Sequence, residues 1–471
     1  MELNQLTIKN AKGGLKAKKF SSVELTKACL EQIKKHNREL NAFITITEED
    51  ALEQAKKADN LASQGQAWET KPLLGIPIAL KDLFSTKGMK TTAASNVLKD
   101  YVPEYDATVV KKLKDAGAII LGKLNHDAWG HGASGENSDF GPTKNPWNKE
   151  YVPGGSSSGS AVSVASDMCI AATGTDTGGS SRQPASFCNI VGLKPTYGRV
   201  SRYGIISMAS SLDSIGHITK TVEDSALFLN VTAGKDANDA TTSSKPVPDY
   251  LKDLKKGIRG LKLGISRKDL ENVDDEVKKP FLFAEKQLKD LGAEIIDINL
   301  KYSDYAIACY YIIQPSEVSS NLARYDGVRF GSVRQNFGEE AKRRIMLGTF
   351  TLSAGYYDAY YRKAMQVRTL IKQDFENAFK QVDAIISPVS PTLPWKLGEK
   401  INDPLKMYLS DILTVTANLA GIPGLSVPIG FSKGLPVGMQ ILGQQFSEAK
   451  LFQIGHAYEQ TTEWHKMKPI L

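Results

Sequence analysis

The sequence predicts an α/β fold, a large β-sheet core covered by helices on both faces. Three observations carry that reading. Strand-like runs at 76–80, 118–121 and 190–193 are apolar almost throughout instead of alternating, as strands buried on both faces are. Segments with helical periodicity lie between the strands, as in sheets wound from strand–helix units. The 471 residues also suffice for a sizeable core. At ~150 residues per domain they would make about three units, but large sheets often hold more in one. The chain is therefore read as one domain over 1–471, with N-terminal helices in 1–65 packing on the core and a polar loop, 235–248, inside it.

Each element has a local reason. Ser21-Ser22-Val23-Glu24 has the form of a capping box, and Leu25, Ala28, Cys29 and Ile33 then recur at helical spacing. A second helix starts near Thr47, with Ala51, Ala55, Ala58 and Ala62 on one face. Pro72 and Gly75 end that region, and the run 76–80 delivers Lys81 and Asp82 at its end. Val109, Val110, Leu113 and Ala116 form a helix stopped by Gly117, followed by a buried strand at 118–121. Residues 130–192 differ in kind: Gly, Ser and Thr dominate, divided by apolar runs at 169–172 and 190–193. Beyond the polar loop come a strand (260–265), a helix to about 291 and a strand (294–300). Strands at 425–429 and 435–442 pair across the turn 431–434, and a helix with Leu451, Ile454, Gly455 and Tyr458 on one face follows.

Composition narrows the class. Apolar residues make up 41% and charged residues 24%, with 39 glycines, which excludes collagen-like and disordered chains. No stretch reaches the ~18 uninterrupted apolar residues of a membrane helix, and residues 1–4 lack a signal peptide's character. A cytoplasmic protein without membrane contact is expected. Cys29, Cys169, Cys188 and Cys309 form no C-x-x-C pair, which fits buried free thiols better than disulfides or a zinc site. The net charge of +7 is spread along the chain and does not by itself argue for an RNA partner. No metal is expected, because no Cys/His cluster has ligand spacing and His126 and His131 form no H-E-x-x-H.

Two motifs are set aside. Residues 130–135 fit G-x-G-x-x-G but lack the strand before and the helix after that a dinucleotide site needs. Residues 155–159 fit G-x-S-x-G, yet the lead-in at 147–153 is polar and only His217, His456 and His465 follow downstream. What remains is a hydroxyl-rich segment pinned between apolar strands, with a lysine ahead of it. Consecutive N–H groups in Thr177-Gly178-Gly179-Ser180 can converge on one point and hold a developing oxyanion. A serine there needs a base, and a lysine serves once burial makes it neutral. Lys81, at a strand end, is the natural choice.

Lys81, the run Gly154-Gly155-Ser156-Ser157-Ser158-Gly159 and the run Gly178-Gly179-Ser180-Ser181-Arg182-Gln183-Pro184 resemble the amidase signature family, whose members cut amides with a Ser–cis-Ser–Lys triad. The spacing of 24 between Ser156 and Ser180 matches its arrangement. The resemblance implies the family's large mixed sheet. It also implies Ser180 as the acyl-forming nucleophile, Ser156 as the bridging serine behind a cis peptide bond, and Lys81 as general base and acid. Thr177, Gly178 and Gly179 are the expected oxyanion hole.

Runs 191–204, 342–349, 355–361 and 403–411 are similar to one branch of that family, the glutaminase (A) subunits of bacterial glutamine-dependent aminoacyl-tRNA amidotransferases. The similarity covers nearly the whole chain. It implies a glutaminase that sends ammonia to a B subunit, where ATP and Mg serve to activate glutamate (or aspartate) mischarged on tRNA. A small C subunit braces the pair, and no cofactor is expected in this chain. By the same resemblance Asp411 takes the ammonium of glutamine and Arg344 its carboxylate, while Tyr310 and Ser134 line the pocket. Arg343 and Tyr311 are immediate neighbours, so the assignment can slip by one. Plainer readings compete: Arg344 as a solvated helix charge, Tyr310 as core, Asp411 as a helix cap. Ser181, Ala133, Gly135 and a short stretch at 331–342 depart from the branch's pattern. The alternative function is a free-standing amidase acting on small amides.

Overall fold

The computed structural model describes residues 2–63 and 67–471, so residues 1, 64 and 65 of the expected N-terminal segment lie outside the described residues. One mixed sheet of eleven strands forms the core of what is described. The strands are β1 (Phe43–Ile46), β2 (Pro77–Lys81), β3 (Ile119–Leu124), β4 (Ala171–Asp176), β5 (Val191–Lys194), β6 (Ser214–Thr219), β7 (Lys262–Ile265), β8 (Glu294–Asp297), β9 (Ala384–Pro388), β10 (Gly424–Ser432) and β11 (Leu435–Leu442). Their spatial order is β1-β3-β2-β4-β6-β5-β10-β11-β9-β7-β8. β2 runs parallel to β3 and β4, and β4 is antiparallel to β6. Every residue of β2, β3, β4, β5 and β6 is buried, which is why these strands read as apolar or small-residue runs.

The N-terminal helices form for the expected reasons. Helix Ser22–Leu40 opens on a complete capping box: Glu24 N–H donates to Ser21 Oγ (3.1 Å), and Ser21 N–H donates to Glu24 Oε2 (2.8 Å). It buries Leu25, Cys29 and Ile33. Helix Glu48–Ser63 buries Ala51, Ala55 and Ala58 and reaches the sheet through Gln54, whose Oε1 accepts from Ile120 N–H of β3 (3.0 Å). The polar stretch 235–248 is tied down by Asp236, which accepts from the hydroxyls of Thr108 (2.6 Å) and Ser201 (2.5 Å).

Two differences from the sequence reading matter for the site. β4 runs on to Asp176, beyond the apolar run 169–172, because Gly174, Thr175 and Asp176 complete a ladder with β6. Helices Ala306–Leu322, Glu339–Thr351 and Lys363–Ala378, unassigned from sequence, form a layer on the C-terminal half. The first two pack closely enough that a Cβ on Gly348 would run into the Pro315 carbonyl. Among the described residues no helix is long and apolar enough to cross a membrane.

Candidate active site

β2 ends where the chemistry starts. Lys81 is fully buried, its N–H donating to Thr173 Oγ1 (2.9 Å) of neighbouring β4. Its Nζ contacts three hydroxyl oxygens: Ser156 Oγ (2.8 Å), Thr175 Oγ1 (2.8 Å) and Ser157 Oγ (3.0 Å). Burial pushes the ammonium down to about 7, against the pull of Asp127, Asp176 and Asp213. A substantial neutral fraction therefore exists near neutrality. The Gly155–Ser156 peptide bond is cis.

Ser180 sits on the turn after β4 and is 8% exposed, the member of the expected triad with most access to solvent. Its carbonyl accepts from Ser157 N–H (3.1 Å), which brings it beside the Lys81–Ser156 pair. Its hydroxyl bonds to none of the described residues, so Ser180 is held there through its backbone. The turn is organised by buried Asp176. Its carboxylate accepts from the N–H groups of Gly179 (3.0 Å) and Ser181 (3.2 Å) and from Arg182 Nε (3.1 Å) and Nη2 (3.0 Å). Burial alone would raise Asp176; the Arg182 guanidinium outweighs it and holds the carboxyl at about 2. Arg182 is in turn fixed by Gln440 Oε1 (2.7 Å) and Asn418 Oδ1 (2.8 Å).

This arrangement changes the expected oxyanion hole. Gly179 N–H is spent on Asp176, so it is not free for a substrate oxygen. The N–H groups of Thr177, Gly178 and Ser180 have no acceptor among the described residues. Glycine at 178 leaves room for Tyr310, because a Cβ there would lie 2.6 Å from Tyr310 Oη and push the buried ring aside.

Tyr310 is buried on helix Ala306–Leu322 and packs over that turn. The next residue, Tyr311, donates from its hydroxyl to Asp411 Oδ2 (2.9 Å). Tyr310 thus lies against Gly178 while its neighbour Tyr311 bonds Asp411, so the two tyrosines reach different parts of this region. Burial pushes the Asp411 carboxyl up to about 7, opposed by Tyr311 and Arg344. Thr414 links Asp411 to the turn 177–180, its Oγ1 bonding the carbonyls of Gly178 (2.6 Å) and Asp411 (3.0 Å). Arg344 is buried, not a solvated helix charge, while Arg343 is partly exposed. Arg344 Nε donates to Glu340 Oε1 (2.7 Å), and its terminal nitrogens bond to none of the described residues. Ser134 is buried behind the turn; its Oγ accepts from Glu136 N–H (3.3 Å), and its own N–H lies against Gly155.

Sequence reasoning missed Thr175 and Ser157 as partners of Lys81, although both stand in the hydroxyl-rich runs it singled out. Asn418 and Gln440 carry no local signal, since they reach Arg182 across more than 230 residues of chain. His126 and His131 are buried, and burial keeps both well below the usual imidazole value, hence neutral. Among the described residues no group of three or more His, Cys, Asp or Glu is placed to hold a metal ion.

Buried Lys81, Ser156 and the glycine turn that bears Ser180 lie together at this end of the sheet, and comparison with known proteins places the chain among amide hydrolases. The profile of the Amidase family matches residues 24–452, and the chain belongs to that family. It is 53% identical to the A subunit of glutamyl-tRNA(Gln) amidotransferase from Geobacter metallireducens, over 99% of each chain. It is 50% identical to that of Desulfatibacillum aliphaticivorans over 100% of both. Its fold aligns with the crystal structure of the same amidotransferase component from Thermotoga maritima (TM-score 0.84, 43% identity, 100% of this chain and 98% of that one). It also aligns with a bacterial aryl acylamidase of the amidase signature family (TM-score 0.88, 26% identity, 98% and 97%).

Proposed function

We propose that the chain is the glutaminase subunit of a tRNA-dependent amidotransferase, that is, the glutamine-hydrolysing component of a glutaminyl-tRNA synthase. One observation carries this: 53% identity, end to end, with a protein so named. The Lys81–Ser156 contact supplies the chemistry. Ser180 Oγ attacks the carboxamide carbon while its proton passes to Ser156 Oγ and the Ser156 proton to neutral Lys81 Nζ. The carbonyl oxygen becomes an oxyanion held by the N–H groups of Thr177, Gly178 and Ser180. The C–N bond breaks as the relay returns a proton to nitrogen, releasing ammonia and leaving a γ-glutamyl ester on Ser180. Water activated by the same relay then cleaves the ester, releasing glutamate and restoring Ser180.

In this reading ammonia passes to a B subunit, which uses ATP and Mg to activate glutamate on tRNA(Gln), and aspartate on tRNA(Asn) where that substrate is present. A C subunit completes the heterotrimer, working in the cytoplasm, and residues 1–471 act as one amidase unit. The free-standing amidase reading draws on the aryl acylamidase alignment, with its higher TM-score of 0.88, but identity falls there to 26%. Co-expression with the B and C subunits separates the two. The proposal expects a stable complex whose ammonia release from glutamine rises when ATP and mischarged tRNA are added. A chain that stays alone and hydrolyses small amides better than glutamine would overturn it.

A further inference from the structure

The two poles of the proposed glutamine pocket are mechanically joined. Tyr311 and Tyr408 stack face to face, ring centroids 3.8 Å apart and planes at 18°. Tyr311 donates to Asp411 Oδ2 (2.9 Å). Tyr408 Oη donates to Glu340 Oε1 (3.2 Å), the same oxygen that accepts from Arg344 Nε (2.7 Å). Arg344 Cζ lies 5.5 and 5.7 Å from the two rings. Glu340 stands one helical turn before Arg344 on helix Glu339–Thr351, and its other oxygen pairs with Arg343. The carboxylate is thus held from both sides.

A long arginine side chain gains little from binding a carboxylate unless its fork is already oriented, because fixing its rotamers costs entropy. Spending Nε on Glu340 orients the guanidinium and leaves the terminal nitrogens free as a bidentate fork. Glu340 also balances the buried cation while the pocket is empty. We propose that Glu340 and Tyr408 are positioning residues: they set the separation between the Arg344 fork and the Asp411 carboxylate, and so restrict the site to amides that carry an α-ammonium and an α-carboxylate. The inference rests on the reading of Arg344 and Asp411 as glutamine's partners. It adds the residues that hold the two at a fixed distance.

The test uses the complete enzyme with Glu340→Gln and Tyr408→Phe, two variants so that one misfolding does not decide the matter. KM for glutamine should rise about 10- to 100-fold in Glu340→Gln, and by less in Tyr408→Phe, with kcat nearly unchanged. The double variant should be worse than Glu340→Gln alone, since the amide oxygen that Glu340→Gln retains can still accept from Tyr408 Oη. Sulfonylation of Ser180 by phenylmethanesulfonyl fluoride, which needs neither pole, should keep its wild-type rate. An unchanged glutamine KM, or a parallel fall in the sulfonylation rate, overturns the proposal. Arg344→Met, run alongside, separates the causes. If Arg344→Met raises KM and Glu340→Gln does not, the brace alone fails; if Arg344→Met leaves KM untouched, the pocket reading fails with it.

Discussion

Lys81 has to be neutral before it can accept a proton, and its burial arranges that near pH 7. Below that value the ammonium dominates, so kcat for glutamine should fall about tenfold per pH unit on the acid side. Lys81→Arg should be inactive at every pH, because a guanidinium stays charged. Asp411, raised to about 7, loses its charge over the same interval and cannot then attract the substrate ammonium. The two effects part with saturation: Lys81 shows in kcat and Asp411 in KM, and steady-state ammonia release across pH reads both. A flat acid limb, with activity kept in Lys81→Ala, would count against the relay. For Ser180→Ala the expected outcome is loss of glutamine hydrolysis by several orders of magnitude, while transamidation driven by added ammonium salt persists in the complex. Near-normal ammonia release from that variant would shift the nucleophile assignment, with Ser157 next to be tested.

At the level of elements, β4 and the turn after it show what a sequence can reveal. Lys81 was legible because an apolar strand visibly ends on it, and Ser156 and Ser180 because glycine and serine cluster where a core strand pattern resumes. Asp176 was not, because an acid inside a hydroxyl-rich run looks like loop chemistry until its partner Arg182 is seen beside it. The helices carrying Tyr310 and Arg344 were equally silent: Ala306–Leu322 has a proline inside it and polar and apolar residues mixed around it, so no stripe announces it. Asp176 governs the turn geometry, and removing one member of a buried charged pair costs ~3–5 kcal/mol. Asp176→Ala should lower stability by that amount in urea denaturation at neutral pH. The sign of its pH dependence follows from a folded value of about 2 against the ordinary 3.8. Its stabilising share is complete above the ordinary value and is lost as pH falls through about 2.

Across the whole molecule, the strand order separates two groups. β1 to β6 carry the lysine and both serines, and β7 to β9, with their helices, carry Tyr310 and Arg344. Within the sheet the β10–β11 hairpin alone joins them, β10 on β5 and β11 on β9. That hairpin also presses on helix Arg182–Phe187, where a Cβ at Gly438 would come within 2.7 Å of Ser186 Cβ. Gly438→Val should therefore lower stability by ~1–3 kcal/mol and depress kcat, although it lies outside the pocket. Thermal melts and glutaminase assays on the same preparation check both. The order of synthesis gives the same hairpin a second meaning. The proposed nucleophile and base leave the ribosome long before residues 424–442, yet the groups proposed to recognise glutamine have no sheet connection to them until those residues emerge. Ribosome-bound chains that stop before residue 424 are therefore expected to release no ammonia from glutamine, because the hairpin that ties the two groups into one sheet has yet to appear.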